Sequence, residues 1–337
     1  MVMAGARHGG AETFFVRLAA ALAGAGEEML ALIRREPARE AALAEAGVPV
    51  RRFAFGGPLD LLTRPLLGRA LARFAPRVVV LWMNRAAAKT PSGPWVQVGR
   101  LGGYYDLRHY RRCHHLVGNT MGIVRWVAAQ GWPASRIHHL PNFTPDLSGA
   151  APASRSALGI PEGPPLLLAM GRLHPNKGFD TLIEALAHVP EAHLAIAGEG
   201  PERAALAQLA VRAGVARRTH LIGWRNDQAA LLAAADLFVC PSRHEPLGNV
   251  VLEAWSAARP VVAAAAQGPA ELIADGRDGL LVPPGDPASL AAAITALLAD
   301  PERARALAAA GRARWAERFA PEPVLALWRH FLATVEA

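Results

Sequence analysis

Two glutamates, Glu245 and Glu253, lie eight positions apart in the stretch Arg243-His244-Glu245-Pro246-Leu247-Gly248-Asn249-Val250-Val251-Leu252-Glu253-Ala254-Trp255. Two cations, Arg172 and Lys177, share a glycine-bounded loop, Gly171-Arg172-Leu173-His174-Pro175-Asn176-Lys177-Gly178. Arg can bridge two phosphate oxygens and Lys acts as a point charge, so the loop suits a diphosphate. The unpaired N–H groups of a helix beginning near Gly248-Asn249 offer a second phosphate seat. Carboxylates flanking such a seat cannot be there for the phosphate, because like charges repel. Their simplest task is to accept hydrogen bonds from hydroxyls. A sugar nucleotide has hydroxyls on both sides of its diphosphate. The plainer reading is that Glu245 caps the helix and Glu253 is solvated.

These residues need strands to hold them. Leu166-Leu167-Leu168-Ala169-Met170 precedes the cationic loop, and Leu237-Phe238-Val239-Cys240 precedes Glu245; both are short apolar runs suited to buried strands. Pro241 and Ser242 break the second run, and the residues from Val250 favour a helix with Leu252, Trp255 and Ser256 on one side. Further strands are expected at 193–197, 220–224, 260–264 and 279–282. Helices are expected at 179–187, 290–298 and 301–319, and a last amphipathic helix at 324–334, with Leu325, Leu327, Trp328, Phe331 and Leu332 apolar.

The first half shows the same alternation. Met1-Val2-Met3-Ala4 resembles the tail of a strand, as if the true start lay a few residues earlier. Gly9-Gly10-Ala11-Glu12 then leads into a helix with Phe14, Phe15, Leu18 and Leu22 inward. Strand, glycine turn, helix opens a doubly wound α/β unit, and Gly9 and Gly10 let a ligand approach the backbone. Strands are expected at 30–33, 51–55, 78–81, 95–98 and 138–143, and helices at 38–46 and 61–74. Helices between strands predict parallel sheets, with ligands beyond the carboxyl ends. Asp106 and His109, after one such end, are candidates for an acceptor hydroxyl. Residues 144–164, rich in Pro, Ala, Ser and Gly, read as a linker. The expected division is 1–145, a linker at 146–164, 165–320, and a C-terminal segment 321–337.

Residues 1–150 carry 19 Lys+Arg against 9 Asp+Glu, whereas 151–337 carry 17 against 19. The whole +8 excess therefore lies in the first half, which predicts an anionic partner. No zinc spacing, helix-turn-helix or aromatic RNA-binding pattern supports nucleic acid, so an anionic membrane surface is the expected partner. Cys113 and Cys240 sit in separate halves and imply no disulfide framework. No run of about 20 apolar residues exists to span a bilayer, and the first residues carry no basic region followed by an apolar core, so no signal peptide is expected. The expectation is a cytoplasmic protein, peripheral on the inner face of the membrane.

The motifs together resemble glycosyltransferase family 4, whose members have the GT-B fold and retain the donor's anomeric configuration. The matches are Gly9-Gly10-Ala11-Glu12, Gly171-Arg172 through Lys177-Gly178, Gly198-Glu199-Gly200-Pro201, Pro241-Ser242 through Glu245, Leu252-Glu253-Ala254, Arg259-Pro260-Val261-Val262, and Gly279-Leu280-Leu281-Val282-Pro283. They span nearly the whole chain but are dense only in its second half. Trp82-Met83-Asn84-Arg85-Ala86 is similar to bacterial lipopolysaccharide-type members.

The resemblance implies two Rossmann-like domains facing across a cleft, with the last helix crossing back to the first. It implies sugar transfer from a nucleotide diphosphate sugar, UDP-linked, to a cell-envelope lipid or glycan such as lipopolysaccharide core. Arg172 and Lys177 would hold the diphosphate, Glu245 the sugar hydroxyls, and Glu253 the ribose. Backbone N–H groups of Leu247, Gly248 and Asn249 would reach sugar and phosphates, and Gly9 and Gly10 would lie beside the diphosphate. No Asp-x-Asp triplet is present, so neither a metal nor another cofactor is expected. Many members carry a histidine just after the strand matching 95–98; here Gly99-Arg100 stands there, leaving Asp106 as the acceptor-side candidate. An epimerase or hydrolase acting on the same donor, and a non-catalytic sugar-nucleotide-binding subunit, are the alternative expectations.

Overall fold

The computed structural model describes residues 1–6, 9–57 and 59–336. Residues 7, 8 and 58 of the expected 1–145 segment, and 337 of the C-terminal one, lie outside the described residues. The chain divides into two compact units, Met1–Phe143 with Pro321–Ala337, and Thr144–Ala320.

In the first unit the elements run β1 (Val2–Met3), α1 (Gly10–Gly24), β2 (Ala31–Arg34), α2 (Pro37–Glu45), β3 (Val50–Phe53), α3 (Thr63–Phe74), β4 (Val78–Trp82), α4 (Met83–Lys89), β5 (Val96–Leu101), β6 (His115–Gly118), α5 (Met121–Ala129) and β7 (Ile137–His139). The seven strands pair in parallel in the order β3-β2-β1-β4-β5-β6-β7. Parallel strands covered on both faces need apolar side chains throughout, and β4 and β5 are buried along nearly their whole length. Helix α1 buries Phe14, Phe15, Leu18 and Leu22, the face its periodicity predicts. Strand β3 stops at Phe53, two residues short of expectation, because Phe55 turns into the core with φ 43°. Helix α3 starts at Thr63, whose N–H is accepted by Asp60 Oδ1 at 3.0 Å.

The second unit holds β8 (Leu166–Met170), α6 (Phe179–Leu186), β9 (His193–Ala197), α7 (Arg203–Arg212), β10 (Thr219–Gly223), α8 (Gln228–Ala234), β11 (Leu237–Cys240), α9 (Asn249–Ser256), β12 (Val261–Ala264), α10 (Gln267–Leu272), β13 (Leu280–Val282), α11 (Pro287–Ala299) and α12 (Pro301–Arg318). Its six parallel strands follow the order β10-β9-β8-β11-β12-β13. Strands β8 and β11 are buried at every residue. Asp286 and Asp300 accept the N–H groups of Ser289 and Arg303 and so start α11 and α12, each with proline in the first turn.

Residues 146–164 have no regular strand or long helix, but they are tied to the second unit. The Ala153 N–H donates to Ala230 O at 2.9 Å, and Arg155 donates to Ala234 O and to Asp236. The closing helix α13 (Pro321–Thr334) belongs to the first unit, where it packs against α1 and buries Val324, Trp328 and Phe331. Leu327, expected on its apolar face, is exposed.

Candidate functional site

Each sheet reverses its winding at one place: between β1 and β4 in the first unit, between β8 and β11 in the second. At such a point the loops leaving the two strands diverge and open a crevice at the carboxyl ends. In the second unit those loops are 171–178 and 241–248, which carry Arg172, Lys177, Glu245, Leu247 and Gly248.

Lys177 Nζ donates to Glu245 Oε2 across this crevice. Ser242 Oγ donates to the same oxygen at 3.4 Å. Burial alone would lower the Lys177 ammonium, but Glu245 opposite it outweighs burial, and the group is held above its ordinary value. Arg172 is exposed at the head of its loop, and its charge is felt by Lys177. The pair is thus a fixed cation beside a carboxylate, within the electrostatic reach of a second cation, Arg172.

The two loops hold one another in place. Asn176 O accepts the N–H groups of Arg243 and His244 at 2.8 and 3.1 Å. Gly178 sits at φ 64°, and a Cβ there would lie 2.1 Å from Pro241 O, so only glycine lets the loops meet. The Arg243 guanidinium clasps Asp180 through two bonds of 2.6 and 2.8 Å and donates to Thr181 Oγ1 at 2.7 Å. Glu245 is held from a third side, where its carbonyl accepts the Gly268 N–H at 2.8 Å. Arg243 and Gly268 were missed in the sequence because they fix the backbone of others. Their signal was proximity to Glu245 in one case and a glycine before proline in the other.

Helix α9 begins at Asn249 after Gly248, in the left-handed conformation at φ 93°, and no side chain caps it. Leu247 is buried, Asn249 and Glu253 are half-buried, and Leu252, Trp255 and Ser256 are buried as expected. Trp255 Nε1 donates to Asp278 O at 2.9 Å and pins the helix. The second unit therefore brings Lys177, Glu245 and the start of α9 onto one crevice edge, with Arg172 at the head of the adjoining loop.

The first unit is built differently. Gly9 and Gly10 are exposed at the start of α1. Beneath them Glu12 is buried and accepts the Ala6 N–H at 2.7 Å. A Cβ on Gly9 would stand 2.3 Å from Glu12 Oε2, so the glycine serves this buried carboxylate whatever else it meets. Asp106 accepts from the Arg108 backbone N–H and from its guanidinium through both oxygens. Arg108 thereby holds its carboxyl well below the usual range, at about 2. Asp106 thus has a local partner, and His109 lies on the short turn that follows it.

At the end of β5 stands Arg100, 2% exposed. Its guanidinium lies 4.7 Å from the Trp82 ring and 5.3 Å from Phe14, and it donates to Asn142 Oδ1. Burial pulls it down to about 10. It has no carboxylate partner among the described residues.

Residues 151–314 match the family described as glycosyl transferases group 1. A lipopolysaccharide core biosynthesis glycosyltransferase of Rhizobium meliloti, LpsE, is 36% identical over 332 residues, covering 97% of each chain. The chain belongs to the group 1 glycosyl transferases. A second such protein of that organism, LpsD, is also 36% identical, over 94% of this chain and 92% of its own. Among solved structures, Anabaena Alr3699/HepE in complex with UDP-glucose superposes with a TM-score of 0.86 at 23% identity, over 99% and 98% of the two chains. WaaG, described as a glycosyltransferase involved in lipopolysaccharide biosynthesis, gives 0.74 at 23% identity, over 97% and 98%. These likenesses establish the GT-B fold. In this glycosyltransferase the family match covers every candidate residue of the second unit and stops short of Gly9, Gly10 and Asp106.

Proposed function

We propose that this glycosyltransferase moves a sugar from a UDP-sugar to a lipid-linked or glycan acceptor of the cell envelope, lipopolysaccharide core in particular, with retention of configuration. The observation that carries the donor reading is the Lys177–Glu245 pair at the winding reversal of the second sheet. The acceptor class follows from the two full-length relatives, both of lipopolysaccharide core biosynthesis. The choice of UDP is supported by the solved neighbour in complex with UDP-glucose.

In this reading the diphosphate enters the crevice and takes Lys177 from Glu245. Glu245, released, accepts hydrogen bonds from hydroxyls of the transferred sugar. Arg172 completes the cationic clamp. The N–H groups of Leu247, Gly248 and Asn249 meet sugar and phosphate oxygens, and Glu253 reads the ribose. Gly9 and Gly10 lie beside the diphosphate. Negative charge grows on the leaving diphosphate, and Lys177, Arg172 and the positive end of α9 oppose it, as a metal does elsewhere. No metal or other cofactor enters this scheme. Asp106 is the acceptor-side carboxylate, and to reach a hydroxyl it must share the Arg108 guanidinium. With a lipid-linked acceptor, the basic first half meets an anionic membrane surface from the cytoplasmic side.

Lys177→Ala is expected to lower sugar transfer by about 10²–10³-fold, the worth of one preorganised charge-stabilising donor. Glu245→Ala is expected to lose a similar amount. Labelled UDP-sugar incubated with each variant and an envelope extract reads the effect. Near-wild-type transfer by either one removes the site assignment.

A further inference from the structure

Between residues 46 and 105 the chain holds nine Lys+Arg and one acid, Asp60. The same stretch carries the most exposed large apolar side chains of the first unit. Leu59, Leu61, Leu62 and Leu66 are 94%, 80%, 70% and 44% exposed. They lie on the loop into α3 and on its first turns. Helix α3 turns Thr63, Leu67 and Leu71 inward and leaves Arg64, Leu66, Arg69 and Arg73 on the outside. Arg51, Arg52, Leu66, Arg69 and Arg73 line a single open groove between β3 and α3.

Two acids lie nearby, Asp60 and Glu40, and they offset only two of these cations. Asp60 is turned to its own loop, where the Thr63 side chain first, and then the Thr63 and Gly56 N–H groups, hold it at about 2. Glu40, at the edge of the groove, is paired to Arg52 at 2.7 Å. Leucines left bare in water next to unpaired arginines fit one kind of surface. A bilayer interface takes apolar side chains at the acyl boundary and guanidinium groups at the phosphates. The other basic segment of this unit is built otherwise. Arg108 is engaged with Asp106, Arg112 donates to Ala88 O at 3.1 Å, and no comparable leucines stand beside them.

We infer that the loop 59–62 and the outer face of α3 dock this protein on an acidic phospholipid surface, with Leu59, Leu61 and Leu62 inserted and Arg51, Arg64, Arg69 and Arg73 on the phosphates. This deepens the reading of an anionic membrane partner by placing the contact, and it needs no assumption about the donor.

The test is flotation with vesicles of phosphatidylglycerol and phosphatidylethanolamine, against vesicles of phosphatidylcholine alone. Wild type is expected to float with the acidic vesicles only, and less in high salt. Replacing Leu59, Leu61 and Leu62 by Ser together is expected to cut binding at least tenfold, and Arg64, Arg69 and Arg73 to Gln likewise. Replacing Arg108, Arg111 and Arg112 by Gln is expected to change it less than twofold. All six side chains of the first two variants are exposed, so the fold is retained, and an unchanged Tm checks this. Full binding by the leucine variant, or loss confined to the Arg108 variant, overturns the assignment. So does a wild-type dimer in light scattering that the leucine variant splits while vesicle binding stays intact. UDP affinity, measured on the same samples, reports on the second unit separately. If wild type binds no UDP yet floats normally, the donor reading fails and the docking face stands.

Discussion

Both units wind their parallel sheets in one order, yet their charged groups are handled in opposite ways. In the second unit Lys177 and Glu245 meet as a matched, half-buried pair between two loops. In the first, Arg100 is sealed between Trp82 and Phe14 with no carboxylate opposite among the described residues. A matched pair within reach of solvent can exchange partners with an incoming anion. A sealed cation cannot, and it serves packing instead. The topology supplies crevices in both units; the side chains at the strand ends decide which one offers an ion pair open to an anion.

The sharpest way to break this contrast is through the glycines. In Gly178→Ala the new Cβ meets a backbone carbonyl at 2.1 Å on a left-handed residue, and neither can yield. A loss of about 2–4 kcal/mol of unfolding free energy is expected, with transfer activity falling further than stability explains. Gly9→Ala meets only a side-chain oxygen of Glu12 at 2.3 Å. A loss of about 1–2 kcal/mol is expected there, because the carboxylate can swing aside. Urea titrations compare the two, and equal losses would contradict the distinction between backbone and side-chain contacts.

Asp106→Asn comes next. Its carboxylate already bonds Arg108, so removing its charge is expected to lower kcat/KM for the acceptor by about tenfold, the worth of roughly one hydrogen bond. UDP affinity should not move. A loss as large as that of Lys177→Ala would make the first unit an equal partner in the chemistry.

The smallest effect is shared by both units. Each has a cross-strand histidine pair, His115–His138 and His193–His220, both 3.0 Å apart between ring nitrogens. Burial lowers His138 and His220, and each is lowered further by its partner. A depressed histidine favours the folded state above its ordinary value of 6.5, and that favour is lost as pH falls through the folded-state value. A slight fall in Tm from pH 7.5 to pH 5.5 is expected. It should be reduced in His138→Gln and His220→Gln alike; a shift in the opposite direction would contradict the assignment.

How much of this was legible in the sequence depends on the range of the interaction. Strands such as Leu166–Met170 and Leu237–Cys240 are legible because burial on both faces demands an unbroken apolar run. Lys177 and Glu245 could be chosen singly, from glycine-bounded loops after such runs. Their contact spans 68 positions, and only the strand order brings it about. Arg243 and Glu12 were opaque for a related reason. Each acts on a neighbour's backbone, Arg243 on the loop at Pro175 and Glu12 on Ala6, and no residue type announces that task. Asp106 shows the reverse case, a residue legible in the sequence whose local partner was not. A carboxylate after a strand end suggests a ligand, but a partner two residues away claims it.

The most direct test of the central claim is calorimetric titration of UDP into wild type, Lys177→Ala and Glu245→Ala. If Lys177 holds the diphosphate and Glu245 the sugar, Lys177→Ala loses UDP affinity at least about tenfold, one charge-assisted contact. Glu245→Ala binds UDP as tightly as wild type or more so, because the carboxylate that competes for Lys177 is gone. Equal UDP affinity in all three proteins, or a loss confined to Glu245→Ala, would contradict the account.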